Sequence, residues 1–250
     1  MIDISLIGIG TGNPDHLTAE AVKAMNAANL ILLPRKGDAK SDLIDLRRDI
    51  CAAMLSPSVH VVEFDLPVRA SGTPDYLNAV AAWHDAIAHI WAEQIRRHLP
   101  TGGRLALLIW GDPSLYDSSL RIVERLSSIG MTTKVRVVPG ITSIQALTAA
   151  HALSLNQLGA PITITTGRLL RTHGWPDHAD TLVVMLDEGC AFEAIPPDGI
   201  HIWWGAYLGM AQQVLVEGPL SKVGQTIKAV RADSRARHGW IMDIYILRRR

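Results

Sequence analysis

The sequence has few cysteines, little charge and no charge imbalance, and each of these shortages excludes a class of protein. Only two of the 250 residues are cysteines, Cys51 and Cys190. Two cysteines cannot form a disulfide framework or a four-ligand zinc site, so we expect two inert thiols in a reducing compartment. Lys and Arg number 24, as do Asp and Glu, and the formal net charge is zero. This balance argues against a broad nucleic-acid-binding surface.

Long apolar runs and targeting signals are also missing. No segment approaches the roughly 18 consecutive apolar residues of a membrane-spanning helix. The first residues, MIDISLIGIG, lack the basic segment and cleavage site of a signal peptide. We therefore expect a cytoplasmic protein with no membrane partner. The ten histidines include no H-x-x-x-H pair, which predicts that the protein holds no metal.

Apolar residues are abundant and are arranged in alternating strand and helix patterns. Hydrophobic residues make up 48% of the chain and charged residues 19%, a composition typical of a well-buried globular protein. In the first part of the chain, short apolar runs alternate with segments whose apolar residues recur every three or four positions. This alternation predicts a parallel sheet covered by helices. Two of the predicted helices run from Leu115 to Ile129 and from Ile141 to Leu153.

The pattern changes beyond about Ala160. Five strand-like segments follow, with one clear helix from Ser221 to Ala232, and they predict a strand-rich second domain. We place the domain boundary near Gly140, which gives an N-terminal domain of residues 1–139 and a C-terminal domain of residues 140–250. The predicted fold class is therefore α/β, with two α/β domains.

A glycine-rich turn, GIGTGNPDHLT, joins the first strand to the first helix from Gly8 to Thr18. Glycines at such a turn let the backbone approach a ligand closely. A dinucleotide-binding turn would have a third glycine where this chain has Asn13. The second strand ends in the basic pair Arg35 and Lys36, which would suit NADP. An NADP-dependent oxidoreductase therefore remains an alternative at this point.

Two further turns lie where a strand meets a helix. In WGDPSLYD, Asp112 could accept hydrogen bonds from an amino group or a ribose hydroxyl, and Gly111 would permit close approach. In VPGITSIQA, Thr142 and Ser143 lie in the first helical turn, where hydroxyl and free N–H groups can hold a polar ligand. Each turn taken alone is equally explained as a tight reversal or a helix cap.

The three turns in this order resemble the tetrapyrrole methylase family. The family's opening pattern G-x-G-x-G-x-P-x-x-L-T is matched from Gly8 to Thr18. Its G-D-P-x-x-Y motif is matched from Gly111 to Tyr116, and its P-G-[IV]-[ST]-[SA] motif from Pro139 to Ser143. The resemblance implies two α/β domains with S-adenosyl-L-methionine in the cleft between them, as in class III methyltransferases, and S-adenosyl-L-homocysteine as the product.

The resemblance also implies a set of cofactor-binding residues. Gly209 is part of this set although Met210 follows it where the family often has threonine. The nine positions that match the family's cofactor pocket are Pro14, Trp110, Gly111, Asp112, Leu115, Thr142, Ser143, Met185 and Gly209.

Over nearly the whole chain the resemblance is to members of the family that act on the corrin ring in cobalamin biosynthesis. It implies methylation of precorrin-5 at ring carbon 1, with the acetyl group released as acetate. Acetyl loss requires a water molecule to be activated. The candidates for this task are chosen only because they lie near the ends of motifs, and they are Tyr116, Asp117, Asp187 and Tyr207.

Precorrins carry many acetate and propionate arms, which basic side chains suit. Local clusters of basic residues predict the mouth of a substrate cleft, and they comprise Arg35, Lys36, Arg69, Arg168, Arg171 and His173. The family resemblance further suggests a homodimer.

Three alternatives stay open within or near this family. The chain could methylate another tetrapyrrole position, or it could resemble relatives that act on ribosomal RNA or on a protein histidine. The zero net charge disfavours RNA. It could also be a non-catalytic protein that binds a tetrapyrrole or the cofactor.

Overall fold

The structure is a computed structural model that describes residues 1–35, 41–68 and 76–249, with only the backbone described for residues 41–43 and 76. The chain forms two compact units, Met1–Thr142 and Ser143–Arg250. The boundary near Gly140 that the sequence predicts lies just before the first helix of the second unit. Within the described residues, no helix is long and apolar enough to cross a membrane.

The described residues of unit 1 form a five-stranded sheet and four α-helices. Its strands are β1 (Ile2–Gly8), β2 (Leu30–Arg35), β3 (His60–Asp65), β4 (Gly103–Ile109) and β5 (Thr133–Val138). Its helices are α1 (Ala19–Ala27), α2 (Ser41–Met54), α3 (Tyr76–His98) and α4 (Ser119–Ser128). All neighbouring strands are parallel, in the order β3-β2-β4-β1-β5, which confirms the predicted parallel sheet.

The helices of unit 1 cover both faces of its sheet. Residues of α1 and α2 pack with Ile7 and Leu33 on one face. Residues of α3 and α4 pack with Leu6 and Leu32 on the other face. This division follows from right-handed crossovers, because the chain moves in one direction across the sheet from β1 to β3 and in the opposite direction from β3 to β5. The chain therefore leaves the adjacent strands β2 and β4 toward opposite faces. Such a switch point opens a crevice at the carboxyl ends of the strands, where ligands bind in open α/β sheets.

Unit 2 contains a mixed sheet. Its strands are β6 (Ile162–Thr166), β7 (Thr181–Met185), β8 (Ile200–Ala206), β9 (Val214–Pro219) and β10 (Asp243–Arg249). Its helices are α5 (Ser143–Ala150), α6 (Gly167–His173) and α7 (Leu220–His238). The strand order is β6-β7-β10-β8-β9, and only the β6–β7 pair is parallel. Short 3-10 helices occur at Pro14–His16 and Ala191–Ala194.

Two predicted helices in the motif regions are shorter than expected. Helix α4 begins at Ser119 instead of Leu115, because Tyr116 has φ of 52°, which no right-handed helix contains. Helix α5 ends at Ala150 instead of Leu153, because Ala152 has φ of 50°. The GDP motif is therefore followed by an open loop rather than by a helix.

The helices of unit 2 also differ from the prediction. Helix α7 starts one residue before Ser221 and continues past Ala232 to His238, where Gly239 with φ of 72° ends it. Helix α6 was not predicted, because its seven residues are too few to show an apolar period.

Candidate active site

The three glycine-containing turns meet at the carboxyl edge of the sheet in unit 1. They follow β1, β4 and β5, which are neighbours in the order β4-β1-β5. Gly10 and Gly111 form an isolated antiparallel bridge. In this bridge the Gly111 amide donates to the Gly10 carbonyl at 2.7 Å, and the Gly10 amide donates to the Gly111 carbonyl at 3.4 Å. The first two turns are thus joined directly through their backbones.

Two glycines, Gly8 and Gly140, allow this close packing. A Cβ atom on Gly140 would lie 2.1 Å from the Gly111 carbonyl oxygen, and one on Gly8 would lie 2.6 Å from the Gly140 nitrogen. No side chain fits at such distances, so the absence of a side chain at Gly8 and Gly140 serves contact between the turns. Gly111 differs, because a Cβ there would meet nothing nearer than the Thr142 Cα at 3.7 Å. The absence of a side chain at Gly111, which has φ of 62°, therefore serves its backbone conformation rather than contact with the third turn.

The Asp112 carboxylate connects the second turn to the third. Its Oδ2 accepts a hydrogen bond from the Gly140 amide at 2.8 Å. Its Oδ1 accepts from the Ser114 amide at 2.8 Å and from the Ser114 hydroxyl at 2.5 Å. Burial opposes ionisation, but these hydrogen bonds outweigh it and hold the pKa of Asp112 below its ordinary value. Since a carboxylate has about four acceptor positions, one remains for a ligand donor.

Buried polar atoms in the turns test whether the predicted cofactor fits. The Thr11 Oγ1, His16 Nδ1 and Trp110 Nε1 atoms are buried without a hydrogen-bond partner in the part of the chain that the structure describes. Buried polar groups normally have partners, so these three indicate a missing polar ligand. They fit a ligand with several polar groups, such as S-adenosylmethionine.

The other predicted cofactor positions near the three turns differ in their surroundings. Pro14 is exposed at the start of a 3-10 helix, and Leu115 is half-buried in the loop before α4. Thr142 and Ser143 lie at the junction between the two units, with Ser143 as the first residue of α5.

Besides Ser143, two predicted cofactor positions belong to unit 2. Met185 is the half-buried last residue of β7. Gly209 has φ of 80°, and its amide donates to Gln213 Oε1 at 2.8 Å. The Gly209 amide is therefore already occupied by a protein acceptor. Both residues remain predictions as ligand contacts.

Asp187 was predicted as a water-activating candidate, and its contacts give it a structural role. The side chain is buried, and its Oδ1 accepts from Arg171 Nη1 at 2.9 Å and from the Gly189 amide at 3.1 Å. Its Oδ2 accepts from the Ala191 amide at 2.6 Å and from the Tyr245 hydroxyl at 2.8 Å. All four acceptor positions are used, which leaves none for water.

Tyr207 is likewise held within the protein. It is completely buried, and its hydroxyl lies 2.5 Å from the Trp240 carbonyl and 3.2 Å from the Ser234 carbonyl. Burial and the negative charge of Asp243 raise the pKa of Tyr207. These contacts favour a packing role over proton transfer.

Tyr116 and Asp117 are the two candidates that stay accessible. Tyr116 is 44% exposed in the loop after the GDP motif, and partial burial raises its pKa. Asp117 Oδ1 accepts from the Ser119 amide at 2.6 Å and so caps the start of α4. The geometry therefore concentrates the remaining candidates in one loop of unit 1.

The basic residues predicted to bind substrate have varied surroundings. Arg35 donates to Asp65 Oδ2 at 2.9 Å, and Arg171 is paired with Asp187. Arg168 and His173 are exposed on α6. Lys36 and Arg69 lie outside the described residues. A substrate carboxylate at Arg35 or Arg171 would have to compete with a carboxylate of the protein.

Arg47 is a candidate that sequence reasoning missed. It lies on α2 between the buried residues Ile44 and Cys51, and its Cζ is 4.8 Å from the centre of the Trp110 ring. The signal was a charged residue on the apolar stripe of a helix, since positions 44, 47 and 51 share one face.

For metal binding, the described residues contain no group of three or more His, Cys, Asp or Glu side chains that could hold an ion.

Comparison with known proteins agrees with this fold and these turns. A sequence profile of the tetrapyrrole (corrin/porphyrin) methylases matches residues 3–224. A precorrin-6A synthase (deacetylating) from a Sinorhizobium species is 44% identical over 251 aligned positions, which cover 100% of this chain and 96% of that protein.

Solved structures are similar over the whole chain. The crystal structure of a cobalamin synthesis related protein, CobF, from Corynebacterium diphtheriae has a TM-score of 0.86 and 37% identity, covering 100% of this chain and 99% of that one. A uroporphyrin-III C-methyl transferase from Thermus thermophilus, complexed with S-adenyl homocysteine, has a TM-score of 0.61 and 21% identity, covering 98% and 91%. At that identity the second similarity shows the shared fold.

The fold, the three turns and these similarities define a methyltransferase that depends on S-adenosylmethionine. Within that class, the chain belongs to the tetrapyrrole (corrin/porphyrin) methylase family. This membership confirms the resemblance seen in the three motifs and replaces the interpretation as an NADP-dependent oxidoreductase.

Proposed function

We propose that this protein methylates precorrin-5 at ring carbon 1 and releases the acetyl group of that carbon as acetate, giving precorrin-6A in cobalamin biosynthesis. The observation that carries the proposal is the 44% identity to a precorrin-6A synthase (deacetylating), which extends over 100% of the chain. Because the similarity covers both units, it includes the substrate-binding parts as well as the cofactor turns.

The reaction requires two events at one carbon atom. Water adds to the acetyl carbonyl and gives up a proton, and the bond between the acetyl carbon and the ring carbon breaks. The electron pair stays on the ring carbon, where the conjugated macrocycle delocalises it, and acetate leaves. The ring carbon then takes up a methyl group. Bound S-adenosylmethionine would supply that methyl group as an electrophile.

The protein residues have separate tasks in this scheme. The turns at Gly10, Gly111 and Gly140 hold the cofactor, with Asp112 fixing the second turn to the third. In-line methyl transfer gains most from such positioning and from excluded water. Deacylation also needs a base, and Asp117 is the accessible carboxylate of the same loop. Its position after the GDP motif supports this assignment.

Basic residues would bind the carboxylate arms of the macrocycle. Arg35, Arg168, Arg171 and His173 are the described candidates. Arg35 pairs with Asp65 Oδ2 and Arg171 with Asp187 Oδ1, each at 2.9 Å, so a substrate carboxylate at either residue would displace a carboxylate of the protein. Charge reversal at Arg168 should raise the Michaelis constant for precorrin-5 and leave cofactor affinity unchanged, because Arg168 is not part of the glycine turns.

We further propose that the protein acts in the cytoplasm as a homodimer. The family resemblance and the small number of cysteines support this proposal. Sedimentation of the purified protein tests the dimer, and a single species at the monomer mass over the full concentration range would contradict it.

A single-turnover experiment tests the proposed reaction. Purified protein is mixed with precorrin-5 and methyl-labelled S-adenosylmethionine, and the ring product and free acetate are measured by mass spectrometry. We expect a ring that has gained one labelled methyl group and lost one acetyl group, with one acetate released per turnover. A methylated ring that keeps its acetyl group would indicate another position, and an unchanged ring would indicate a non-catalytic binding protein.

A further inference from the structure

A cavity in unit 1 adjoins the second glycine turn and shares Trp110 with it. It has a volume of about 180 Å³ and lies at the carboxyl ends of β2, β3 and β4. Three indole side chains line it, those of Trp83, Trp91 and Trp110, together with the charged residues Arg47 and Asp117. Most of the remaining lining is apolar. The lining of the cavity is therefore mostly apolar, with one basic and one acidic residue.

The position of the cavity follows from the topology. The chain leaves β2 toward α2 and leaves β4 toward α4, on opposite faces of the sheet. Residues of α2, α3 and α4 all line the cavity, which therefore lies where the two helical layers separate. The loop from Trp110 to Asp117 contributes both to this cavity and to the second glycine turn. A group in the cavity would thus be next to the proposed cofactor turns.

The size of the cavity restricts its occupant. Sites for drug-sized ligands have volumes of roughly 300–1,000 Å³, so this cavity cannot enclose a cofactor or a macrocycle. It is nevertheless several times larger than the roughly 30 Å³ that one water molecule occupies in the liquid. It suits a substituent of a few heavy atoms together with a water molecule.

Arg47 places a positive charge in this space. Its Nε lies 3.4 Å from the Leu108 carbonyl oxygen, and its guanidinium stacks on the Trp110 ring. Burial lowers the pKa of Arg47 to about 10, while the negative charge of Asp117 opposes this effect. The side chain therefore stays protonated at neutral pH, and Asp117 is close enough to interact with it.

Two hydrogen-bond donors in the cavity walls lack acceptors. The Nε1 atoms of Trp91 and Trp110 are buried and have no partner among the residues that the structure describes. By contrast, Trp83 Nε1 donates to the Pro67 carbonyl at 2.7 Å. Leaving a buried donor unpaired is costly, so such donors indicate a ligand with acceptor atoms. Two indole N–H groups and one guanidinium complement the oxygen atoms of a carbonyl or carboxylate group.

We propose that this cavity is an acyl subsite, which receives the acetyl group of the substrate and holds the acetate formed from it, with Arg47 polarising the carbonyl. The inference rests on the proposed function and extends it. Water adds to the acetyl carbon, and Asp117 takes its proton. Arg47 and the indole N–H groups stabilise the negative charge on the carbonyl oxygen. The bond to the ring carbon then breaks, its electron pair moves into the macrocycle, and the acetic acid that forms loses its proton to solvent and remains in the cavity as acetate.

Substitution of Arg47 tests the subsite. Arg47→Met keeps an unbranched apolar side chain and removes the guanidinium with its charge. We expect the single-turnover rate of acetate release to fall about 100-fold or more, as on removal of a donor that stabilises a developing oxyanion. Arg47→Lys should recover part of this loss. The dissociation constant of S-adenosylhomocysteine, measured by calorimetry, should change less than about twofold, because the three glycine-containing turns do not include Arg47.

Arg48→Met is the matched control. Arg48 is the next residue of α2, but its side chain is 48% exposed and pairs with Glu63 at 2.6 Å and Asp45 at 2.6 Å. It should leave acetate release unchanged. Acetate release at the wild-type rate in Arg47→Met would overturn the proposal. So would a variant that raises only the Michaelis constant for precorrin-5, since that result assigns Arg47 to a peripheral carboxylate arm.

A titration with acetate tests the cavity without any variant and without the substrate. In protein labelled with ¹⁵N at tryptophan, the indole N–H signals of Trp91 and Trp110 should shift as sodium acetate is added, and that of Trp83 should shift less. Absence of any shift at Trp91 and Trp110 would overturn the subsite. If these signals shift but the wild-type protein does not convert precorrin-5, the cavity is a carboxylate site and the proposed function fails.

Discussion

A region of unit 2 and a region of unit 1 differ in how their buried polar groups are paired. In unit 2, Asp187 and Asp243 are surrounded by donors, with Arg231 Nε 2.8 Å from Asp243 Oδ2 and Arg231 Nη2 2.9 Å from the Asp187 carbonyl. At the carboxyl edge of unit 1, Trp91, Trp110 and other buried donors have no acceptors within the described residues. A satisfied network stabilises a fold, whereas unsatisfied buried groups mark a place for a ligand. Substitutions of Asp187 or Asp243 should therefore lower the free energy of unfolding. Substitutions of the unpaired donors at this edge of unit 1 should instead lower ligand binding or the reaction rate.

The largest expected effect is on the satisfied network. Asp187→Ala removes a carboxylate that accepts four hydrogen bonds and leaves the Arg171 and Tyr245 donors without an acceptor. We expect the free energy of unfolding to fall by about 3–5 kcal/mol, as measured by denaturant titration. Asp180→Ala, at an exposed position, should change it by less than about 0.5 kcal/mol. Equal effects of the two substitutions would mean that the hydrogen bonds of Asp187 do not stabilise unit 2.

The next effect concerns the packing of the turns in unit 1. Gly140→Ala places a Cβ 2.1 Å from the Gly111 carbonyl oxygen, so the second and third turns must separate. We expect a loss of about 3 kcal/mol in stability and a loss of S-adenosylhomocysteine binding in calorimetry.

Gly130→Ala provides the comparison for Gly140→Ala. Its φ is 79°, but no atom lies within 4 Å of a Cβ at this position, so only backbone strain of roughly 1–2 kcal/mol is added. Ligand binding should be retained in this variant. If Gly140→Ala also binds normally, the three turns do not form the cofactor site.

A pair of tryptophan substitutions compares the two units directly. Trp204 Nε1 donates to Asp243 Oδ2 at 3.1 Å, whereas Trp110 Nε1 has no acceptor in the described part of the chain. Replacement by Phe removes a donor in both cases. We expect Trp204→Phe to lower the unfolding free energy by about 1–3 kcal/mol more than Trp110→Phe, because only the former leaves a buried carboxylate with one donor fewer. A larger loss for Trp110→Phe would reverse the comparison.

The smallest expected effect is the contribution of Asp112, in unit 1, to the pH dependence of the free energy of unfolding. The hydrogen bonds at Asp112 keep its folded pKa below the ordinary value of 3.8. Ionised Asp112 therefore contributes stability that is present above the unfolded pKa and is lost as the pH falls through the lowered folded pKa. Unfolding curves recorded from neutral to acidic pH should show a shallower acid loss for Asp112→Asn than for the wild type. A loss of the same steepness in both proteins would mean that Asp112 does not hold the turns together.

The sequence predicted the parts of the molecule that depend on periodic apolar residues. The parallel sheet of unit 1 follows from runs such as Leu30–Leu33, whose side chains are all buried. The turns at Gly8, Gly111 and Pro139 were located because glycine and proline mark chain reversals independently of tertiary contacts. Their meeting at one edge follows from parallel strand order, which places carboxyl ends together.

Tertiary contacts decided the features that the sequence did not predict. Asp187 and Tyr207 were candidates because they lie near the ends of motifs, but each side chain is hydrogen-bonded to residues distant in sequence, including Tyr245 and Trp240. Arg47 was missed for the opposite reason, since a charged residue on an apolar helix stripe has meaning only when the cavity beside it is known. Local patterns cannot show whether a polar atom has found its partner.

Calorimetric titration with S-adenosylhomocysteine is the most direct test of whether the active centre lies at the carboxyl edge of the sheet in unit 1. The account predicts saturable binding at one site per chain for the wild-type protein and for Arg47→Met, and no binding for Gly140→Ala. Absence of binding in the wild type, or unchanged affinity in Gly140→Ala, would contradict it.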